Sequence, residues 1–510
     1  MLAKVDSCTI VGINGVPLDI EVDITDGLPS FDIIGLPDAS VREAKERVRA
    51  AIRNSGFSFP YSRVTVNLAP ADLKKEGSSF DLAIAIGFLA ATGQIPKGEL
   101  LETGVFIGEL SLDGSLRRIN GTLAIALSMA ALPSHRAKTL YVPEPNAKEA
   151  ALVKGLKTVG ISTLAQLVRH LLEEDSLQAT RPLPQETCED KTSDFDFSEV
   201  RGQETAKRAL EIAAAGAHNL LLYGPPGSGK TMLARRIPSI LPSPGSEEIL
   251  DITRIHSVAG QLDASKPLLT GRPFRSPHHS ASTAGIIGGG KSPRPGEVTL
   301  AHLGVLFFDE MPEYSRELLE ALRQPLEDRE VTVTRLTATV TYPADFMFIG
   351  SMNPCPCGNY GDPHLECRCS PNQIIRYRNK LSGPLMDRLD LHVEVPAIKY
   401  EQLENKAPGE SSAAIRTRVE KARLLQQERY KEIAVTTNAG LRAKYFEQYC
   451  PLSNDARGLV RQAFQSLGLS MRAHDRIIRV GRTIADLDGS EVIDSAHIAE
   501  AIQYRSLDRQ

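Results

Sequence analysis

The chain has 510 residues, more than one hydrophobic core normally organises, so several domains are expected. Apolar residues make up 42% and charged residues 24%, and the formal charge of −4 argues against a surface that coats nucleic acid throughout while allowing a local basic channel. The longest apolar stretch, Leu82 to Thr92, is too short to cross a bilayer and the amino terminus lacks the apolar core of a secretory signal, which predicts a cytoplasmic protein with no membrane partner.

Residues 1–172 mix short alternating strands (TIVGI, DIEVDI, SRVTVNLA, GVFIGELSL) with helices such as SVREAKERVRAAIRNSG and KEAALVKG, an α+β pattern. The polar, acidic, proline-containing tract 173–197 reads as a linker that cannot bury enough apolar surface to fold alone. From 198 to 400 helix and strand alternate, and HNLLLYG, GVLFFDE and DFMFIGSMN are nearly continuous apolar runs, as parallel strands covered on both faces require. This predicts a doubly wound α/β core. Residues 401–510 are helical, opening with the charged segment Ala413 to Glu432.

The first chemistry comes from GPPGSGKT, that is Gly224, Pro225, Pro226, Gly227, Ser228, Gly229, Lys230 and Thr231, directly after an apolar strand. Glycines let backbone N–H groups turn inward around phosphate oxygens, Lys230 neutralises β/γ charge, and the Thr231 hydroxyl ligates Mg²⁺. A helix starting near Lys230 adds its positive end. ATP and Mg²⁺ are the implied ligands. Downstream, GVLFFDE ends a strand in two carboxylates, of which Asp309 takes the metal role and Glu310 that of the base. The next strand ends at Asn353, an amide suited to orienting the lytic water. Arg388 follows in GPLMDRLDLHVEVP, and Arg472 precedes HDRIIRVGRTIADL.

That ordered set resembles an AAA+ ATPase of the magnesium-chelatase branch. Over residues 1–508 the chain is similar to the YifB/ComM family, through GLPDASVREAKERVRAAI, GRPFRSPHHSAST, FFDEMPEYSRELLEALRQPLE and RAHDRIIRVGRTIADL. The resemblance implies an AAA+ core with a helical lid, Asn353 as sensor 1, Arg388 as arginine finger and Arg472 as sensor-2 arginine, with Arg476 the competitor for that role. A finger reaches the γ-phosphate of a neighbouring subunit, so the enzyme is expected to be a homo-oligomer, and the resemblance implies a hexameric ring.

The same resemblance makes LEDREVTVTRLTATVTY a pore hairpin with Arg335 near its tip, facing a phosphate backbone. The insert GRPFRSPHHSASTAGIIGGGKSPRPGEVTLAH offers Arg272, Arg275, Lys291 and Arg294 as cations with only Phe274 as a stacking platform, which favours backbone tracking over base reading. His278 and His279 are expected to point apart in extended chain, and so to be structural or to face nucleic acid rather than to share a metal.

Seven cysteines, four of them in C-x-C-x9-C-x-C, do not form an extracellular disulfide pattern. Cys355, Cys357, Cys367 and Cys369 can complete a tetrahedral Zn²⁺ shell that pins a loop with few apolar residues, with His364 as a substitute ligand. With every ligand position filled the expected role is structural, either stiffening a subunit interface or reaching toward a substrate.

Residues 67–123 resemble the proteolytic domain of Lon, which puts Ser79 at the nucleophile position. The place of the partner lysine, around Asn120 to Leu123, holds none, and Arg117 and Arg118 are too basic to serve. A fold kept for assembly or substrate guidance is favoured over proteolysis. The function expected is an ATP-driven ring motor on single-stranded or branched DNA, which the resemblance narrows to a helicase promoting branch migration in natural transformation. A magnesium-chelatase-type protein-remodelling ATPase and a Lon-like ATP-dependent protease are the alternatives.

Overall fold

The computed structural model describes residues 1–135, 138–182, 195–290, 293–335, 338–361, 365–397, 409–505 and 507. The chain forms two units, the first made of Met1–Glu189, Ile249–Leu269 and Thr334–Val340, the second of the remainder. Two segments of the expected 198–400 core thus belong with the first unit, a grouping that contiguous motif order does not announce.

In the first unit, strands β1 (Leu2–Val11), β2 (Asn14–Thr25), β3 (Ser30–Ile34), β4 (Arg63–Ala69), β5 (Gly104–Phe106), β6 (Thr139–Pro143) and β7 (Lys157–Ile161) form one sheet in the order β3-β4-β2-β1-β5-β6-β7. The β1–β2 and β2–β4 pairs are antiparallel and the other four parallel. Alternation sends Val5, Ile20, Val22, Val64 and Val66 into the core. Helix α1 (Ala39–Asn54), capped by the Asp38 carboxylate on Val41 N at 2.8 Å, buries Val41, Ala44, Val48, Ala51 and Ile52 at helical spacing. Helix α2 (Asp81–Ala91) is the apolar run from the sequence. All its residues are buried, and a Cβ on Gly87 would stand 2.7 Å from Val22, so glycine sets the helix-to-sheet approach. Helix α3 is Thr122–Ala131.

The expected linker begins later than composition indicates. Leu177 packs on the first unit's core and Thr180 N–H donates to Thr158 O at 2.8 Å, so one apolar residue in a polar tract holds its start in place. Residues 183–194 lie outside the described residues.

The second unit carries β8 (Leu220–Tyr223), β9 (Phe274–Arg275), β10 (Val305–Phe308), β13 (Met347–Met352) and β14 (Leu391–Glu394), all parallel, in the order β9-β10-β13-β8-β14. Leu220 to Leu222, Val305 to Phe308 and Phe348 are fully covered, which is why these strands read as unbroken apolar runs. The fold is therefore mixed α/β with a parallel sheet. Between β10 and β13 a hairpin, β11 (Glu330–Arg335) and β12 (Ala338–Pro343), leaves the sheet. Val340, in its first-unit segment, reaches to 2.6 Å of where a Cβ on Gly12 would be.

Helix α4 (Glu204–Gly216) precedes β8, α5 (Lys230–Arg236) follows it, α6 is Ser246–Val258 and α7 Pro371–Arg378. The carboxy-terminal helices α8 (Ser412–Arg429), α9 (Asn454–Leu467), α10 (Met471–Leu487) and α11 (Ser495–Gln503) share one core with α4 and the sheet through Val419, Ala422, Ile477, Ile484 and Ile498.

Candidate functional site

The chain leaves β8 at Tyr223 and turns through residues 224–229 into α5. Gly227 and Gly229 have φ of +73° and +95°, a conformation side chains rarely adopt, and a Cβ on Gly224 would meet Val395 O at 2.1 Å. Lys230 Nζ, largely buried, donates to Gly224 O and Pro225 O at 2.8 Å each and to Asn353 Oδ1 at 3.1 Å. Burial lowers its pKa, against the pull of Asp309 and Glu310. Thr231 Oγ1 donates to Asp309 Oδ2 at 2.8 Å. Strand order explains the convergence: β8, β10 and β13 are parallel neighbours, so Gly224, Asp309 and Asn353 leave the sheet at the same end.

Ser351, which motif reading passes over, ties the two acids together. Its buried hydroxyl donates to Asp309 Oδ1 at 2.5 Å and accepts from Glu310 N at 3.0 Å. Glu310 is exposed and sits at φ +51°, a strained conformation that its N–H bond to Ser351 holds. The available signal was period two: Ser351 and Asn353 fall on one side of the strand end.

These residues fit a triphosphate with Mg²⁺. Ser228 Oγ is buried without a hydrogen-bond partner inside the turn, and Thr231 with Asp309 supplies the hard oxygen pair Mg²⁺ prefers.

Arg388 and Arg472 are brought to each other but not to Lys230. Asn219, the residue before β8, donates from Nδ2 to Arg388 O at 3.2 Å and from its backbone N to Asp390 Oδ2 at 3.0 Å. Arg388 thus sits at the opening end of β8 and the glycine turn at its far end, about 16 Å away at the usual rise per strand residue. Arg388 Nη1 donates to Pro384 O at 2.7 Å and Nη2 pairs with Glu327. Arg472 Nη1 meets Asp387 at 3.4 Å, and Arg476 Nη1 meets Asp390 Oδ1 at 2.5 Å. A polar cleft of about 890 Å³ is lined by Arg388, Arg472, Arg476 and Asp387. Burial alone would raise the Asp390 carboxyl, but Arg476 and His218 outweigh it and hold the group well below the carboxylate range. Sequence can place a residue before or after an apolar run, but not which strands lie side by side and in parallel, and that pairing is what sets Arg388 and Lys230 at opposite ends of β8.

The four cysteines converge. Cys355 Sγ lies 3.4 Å from Cys357 Sγ and 3.7 Å from Cys367 Sγ, Cys357 and Cys367 are 3.7 Å apart, and all four Sγ atoms fall within 4.8 Å of one another. A tetrahedral thiolate shell with metal–sulfur bonds of about 2.3 Å has edges of about 3.8 Å. Backbone N–H groups of Asn359 and Arg368 lower the Cys357 pKa, whereas Cys367 and Cys369 are raised, against their own backbone hydrogen bonds, by desolvation and the neighbouring sulfurs, so a bound cation would have to offset the repulsion among four thiolates. The cluster could therefore hold a metal ion. His364 lies outside the described residues.

Of the cations expected to face nucleic acid, two already have partners within the chain. Arg272 is held by Glu248 at 2.9 Å and by the carbonyls of Pro242 and Leu303, and Arg275 makes a two-point pair with Glu297 at 2.6 and 2.8 Å. His278 and His279 do not point apart: a turn closed by Ala281 N on His278 O brings their rings to 4.0 Å, and His279 meets Tyr314 edge-on. Arg294 is exposed on a two-residue strand paired with residues 288 and 289. The side chain of Arg335 and all of Lys291 lie outside the described residues.

In the first unit, Ser79 O accepts from Gly108 N at 2.8 Å. Beside the stretch where a lysine is missing, the buried Glu149 accepts from Leu123 N at 2.9 Å and from Ser257 Oγ. Among the described residues no helix is long and apolar enough to cross a membrane.

This pairing of a parallel-sheet phosphate-loop unit with a mixed-sheet first unit has counterparts of known sequence. Family profiles described as magnesium chelatase, subunit ChlI, match residues 196–403, its C-terminal part residues 409–505, and a further ChlI subunit profile residues 20–146. The chain is 44% identical to Competence protein ComM of Haemophilus influenzae, over 100% of this chain and 98% of that protein. It is 43% identical to the uncharacterized protein YifB of Escherichia coli, with the same coverage. A partial likeness, 29% over 36% of this chain and 37% of the other, links it to Lon protease 2 of Bacillus subtilis. The chain belongs to the YifB/ComM family of magnesium-chelatase-like proteins.

Proposed function

We propose that the protein is an AAA+ ATPase that works as an oligomeric ring, most simply a hexamer, and drives a motor on single-stranded or branched DNA. The observation that carries this reading is the separation of two half-sites: Lys230, Thr231, Asp309 and Asn353 converge at one end of β8, and Arg388 stands with Arg472 at the other. A complete site then needs two protomers. One supplies the triphosphate cradle, and the next presents Arg388 and Arg472 to charge developing on the γ-phosphate.

In this scheme Lys230 exchanges its carbonyl partners for phosphate oxygens, and Ser228 Oγ gains a partner in the loop. Thr231 and Asp309 would hold Mg²⁺, which neutralises charge on the β- and γ-phosphates. Glu310, exposed beside Asp309, takes the proton of the attacking water, and Asn353 orients that water. Arg388 leaves Glu327, an exposed partner, when a neighbour offers a phosphate instead.

The DNA part of the reading is supported by the name of the competence protein relative and by the hairpin that carries Arg335. It is narrowed to branch migration during integration of DNA in natural transformation, with Arg335, Lys291 and Arg294 as backbone contacts. The cysteine cluster is read as a Zn²⁺ site, because four thiolates at these spacings suit zinc and leave no open position for catalysis. A protease role for Ser79 is not favoured, since the stretch from Asn120 to Leu123 supplies no lysine to take the hydroxyl proton.

The test is ATP turnover with and without single-stranded and forked DNA, for wild type, Lys230→Ala and Arg335→Ala. Loss of all turnover in the first variant and loss only of DNA stimulation in the second are expected. A hydrolysis rate indifferent to DNA would remove the motor assignment and leave an ATPase of another kind.

A further inference from the structure

We infer that the four-cysteine cluster controls the nucleotide site of its own chain: with a soft divalent cation bound it holds the phosphate loop and Asn353 in place, and when emptied it releases them. This rests on the reading of residues 224–231 as a triphosphate site.

The chain leaves that site at Asn353, whose Oδ1 receives Lys230 Nζ, and two residues later enters the cluster at the fully buried Cys355. The turn that follows touches the phosphate loop. Gly358 N donates to Cys355 O at 3.0 Å, and a Cβ on Gly358 would lie 2.5 Å from both Cδ and Cγ of Pro226. After Cys369 the chain enters α7 through a Ser370–Gln373 capping box, and the end of this helix returns to its origin. The Asn353 backbone hydrogen-bonds the Tyr377 hydroxyl, and Arg378 Nε donates to Pro354 O at 3.4 Å. Asn353, the cluster and α7 therefore form a closed circuit whose outer wall is Pro226.

Among the described residues, no large apolar side chain is buried at the far end of that circuit. Tyr360 and Leu365, the large apolar residues described in the loop, are 49% and 57% exposed. Arg378 of α7 lies over the Tyr360 ring at 5.3 Å, an exposed contact, and four thiols within 4.8 Å of one another add a second fastener, where a metal bond across the loop fixes what packing holds loosely. The placement differs from a stiffener of a subunit interface or an arm toward substrate, since the contact is with the chain's own Pro226.

Zinc content of the purified full-length protein is measured first, then zinc is stripped with an organomercurial and a chelator and restored. Affinity for a fluorescent ATP analogue, ATP turnover and circular dichroism are followed throughout. Stripping is expected to weaken analogue binding and to lower turnover on the order of a hundredfold, as misplacement by about 1 Å does, with recovery on reloading. Two glycine variants separate control from unfolding. Gly358 and Gly361 share a φ of +84°, but Gly361 has open space where its Cβ would go. Gly358→Ala, at full zinc occupancy, is expected to weaken nucleotide binding, whereas Gly361→Ala, equally strained in its own backbone but with no neighbour to displace, is expected to bind nucleotide as wild type does.

Protein that purifies without metal, equal nucleotide affinity with and without zinc, or equal effects of the two glycine variants would each overturn the inference. Zinc-loaded wild type that binds no nucleotide at all would instead overturn the triphosphate reading beneath it.

Discussion

The Ser351 hydroxyl donates to Asp309 Oδ1 at 2.5 Å, and through the same oxygen it receives the N–H of Glu310. One buried side chain thus fixes the carboxylate assigned to the metal and the backbone of the residue assigned to the water. Ser351→Ala removes a charge-assisted bond worth about 1.5–3 kcal/mol and frees the strained Glu310 backbone, so turnover should drop roughly tenfold or more. The Mg²⁺ concentration for half-maximal rate should rise with it. Ser351→Thr keeps the oxygen and should restore both; a Thr variant as slow as Ala would show that packing, not the hydroxyl, is what matters.

Asn353 and Lys230 are in direct contact at 3.1 Å. Asn353→Ala leaves the phosphate loop and its lysine in place, so nucleotide affinity should change little. Turnover should fall on the order of a hundredfold, the usual result of removing one positioned polar group from a developing charge. Steady-state kinetics beside equilibrium binding separates the two, and an affinity loss as large as the rate loss would contradict the assignment.

His392, on β14, is buried and its pKa is pushed down to about 3, first by burial and then by Arg505. The folded state therefore keeps it neutral where an unfolded chain, with a histidine pKa of about 6.5, would bind a proton. Stability attached to this group is complete above pH 6.5 and is lost as pH falls toward 3. Replacing His392 with Leu should reduce the pH slope of the second unit's stability by about 1.4 kcal/mol per unit between pH 6 and pH 4. Denaturant unfolding at several pH values reads this slope, and an unchanged slope would mean that His392 is not the titrating group.

The glycine turn was legible because its spacing is imposed by backbone geometry around phosphate, and Asp309 and Asn353 were legible because each ends an apolar run. Other features depend on partners that no local pattern names. Arg272 and Arg275 looked available for DNA, yet Glu248 and Glu297, each more than twenty residues away on other elements, take both. Ser351 had a face but no motif. The assignment of residues 249–269 to the first unit depends on long-range packing, as in the bond from Ser257 to Glu149. Arg388 was legible as a motif arginine, but its position at the opposite end of β8 from Lys230 follows only from the pairing of β8 with β14.

That position is the centre of the account, and mixing two inactive variants tests it directly. Lys230→Ala and Arg388→Ala should each hydrolyse almost no ATP alone. When subunits are exchanged at equal concentration, about a quarter of the interfaces join an intact Lys230 to an intact Arg388 from the neighbouring protomer, and turnover should recover toward that fraction. Recovery tracking subunit exchange is the predicted result; full activity of Arg388→Ala alone, or no recovery in rings shown to be mixed, would contradict a site shared between protomers.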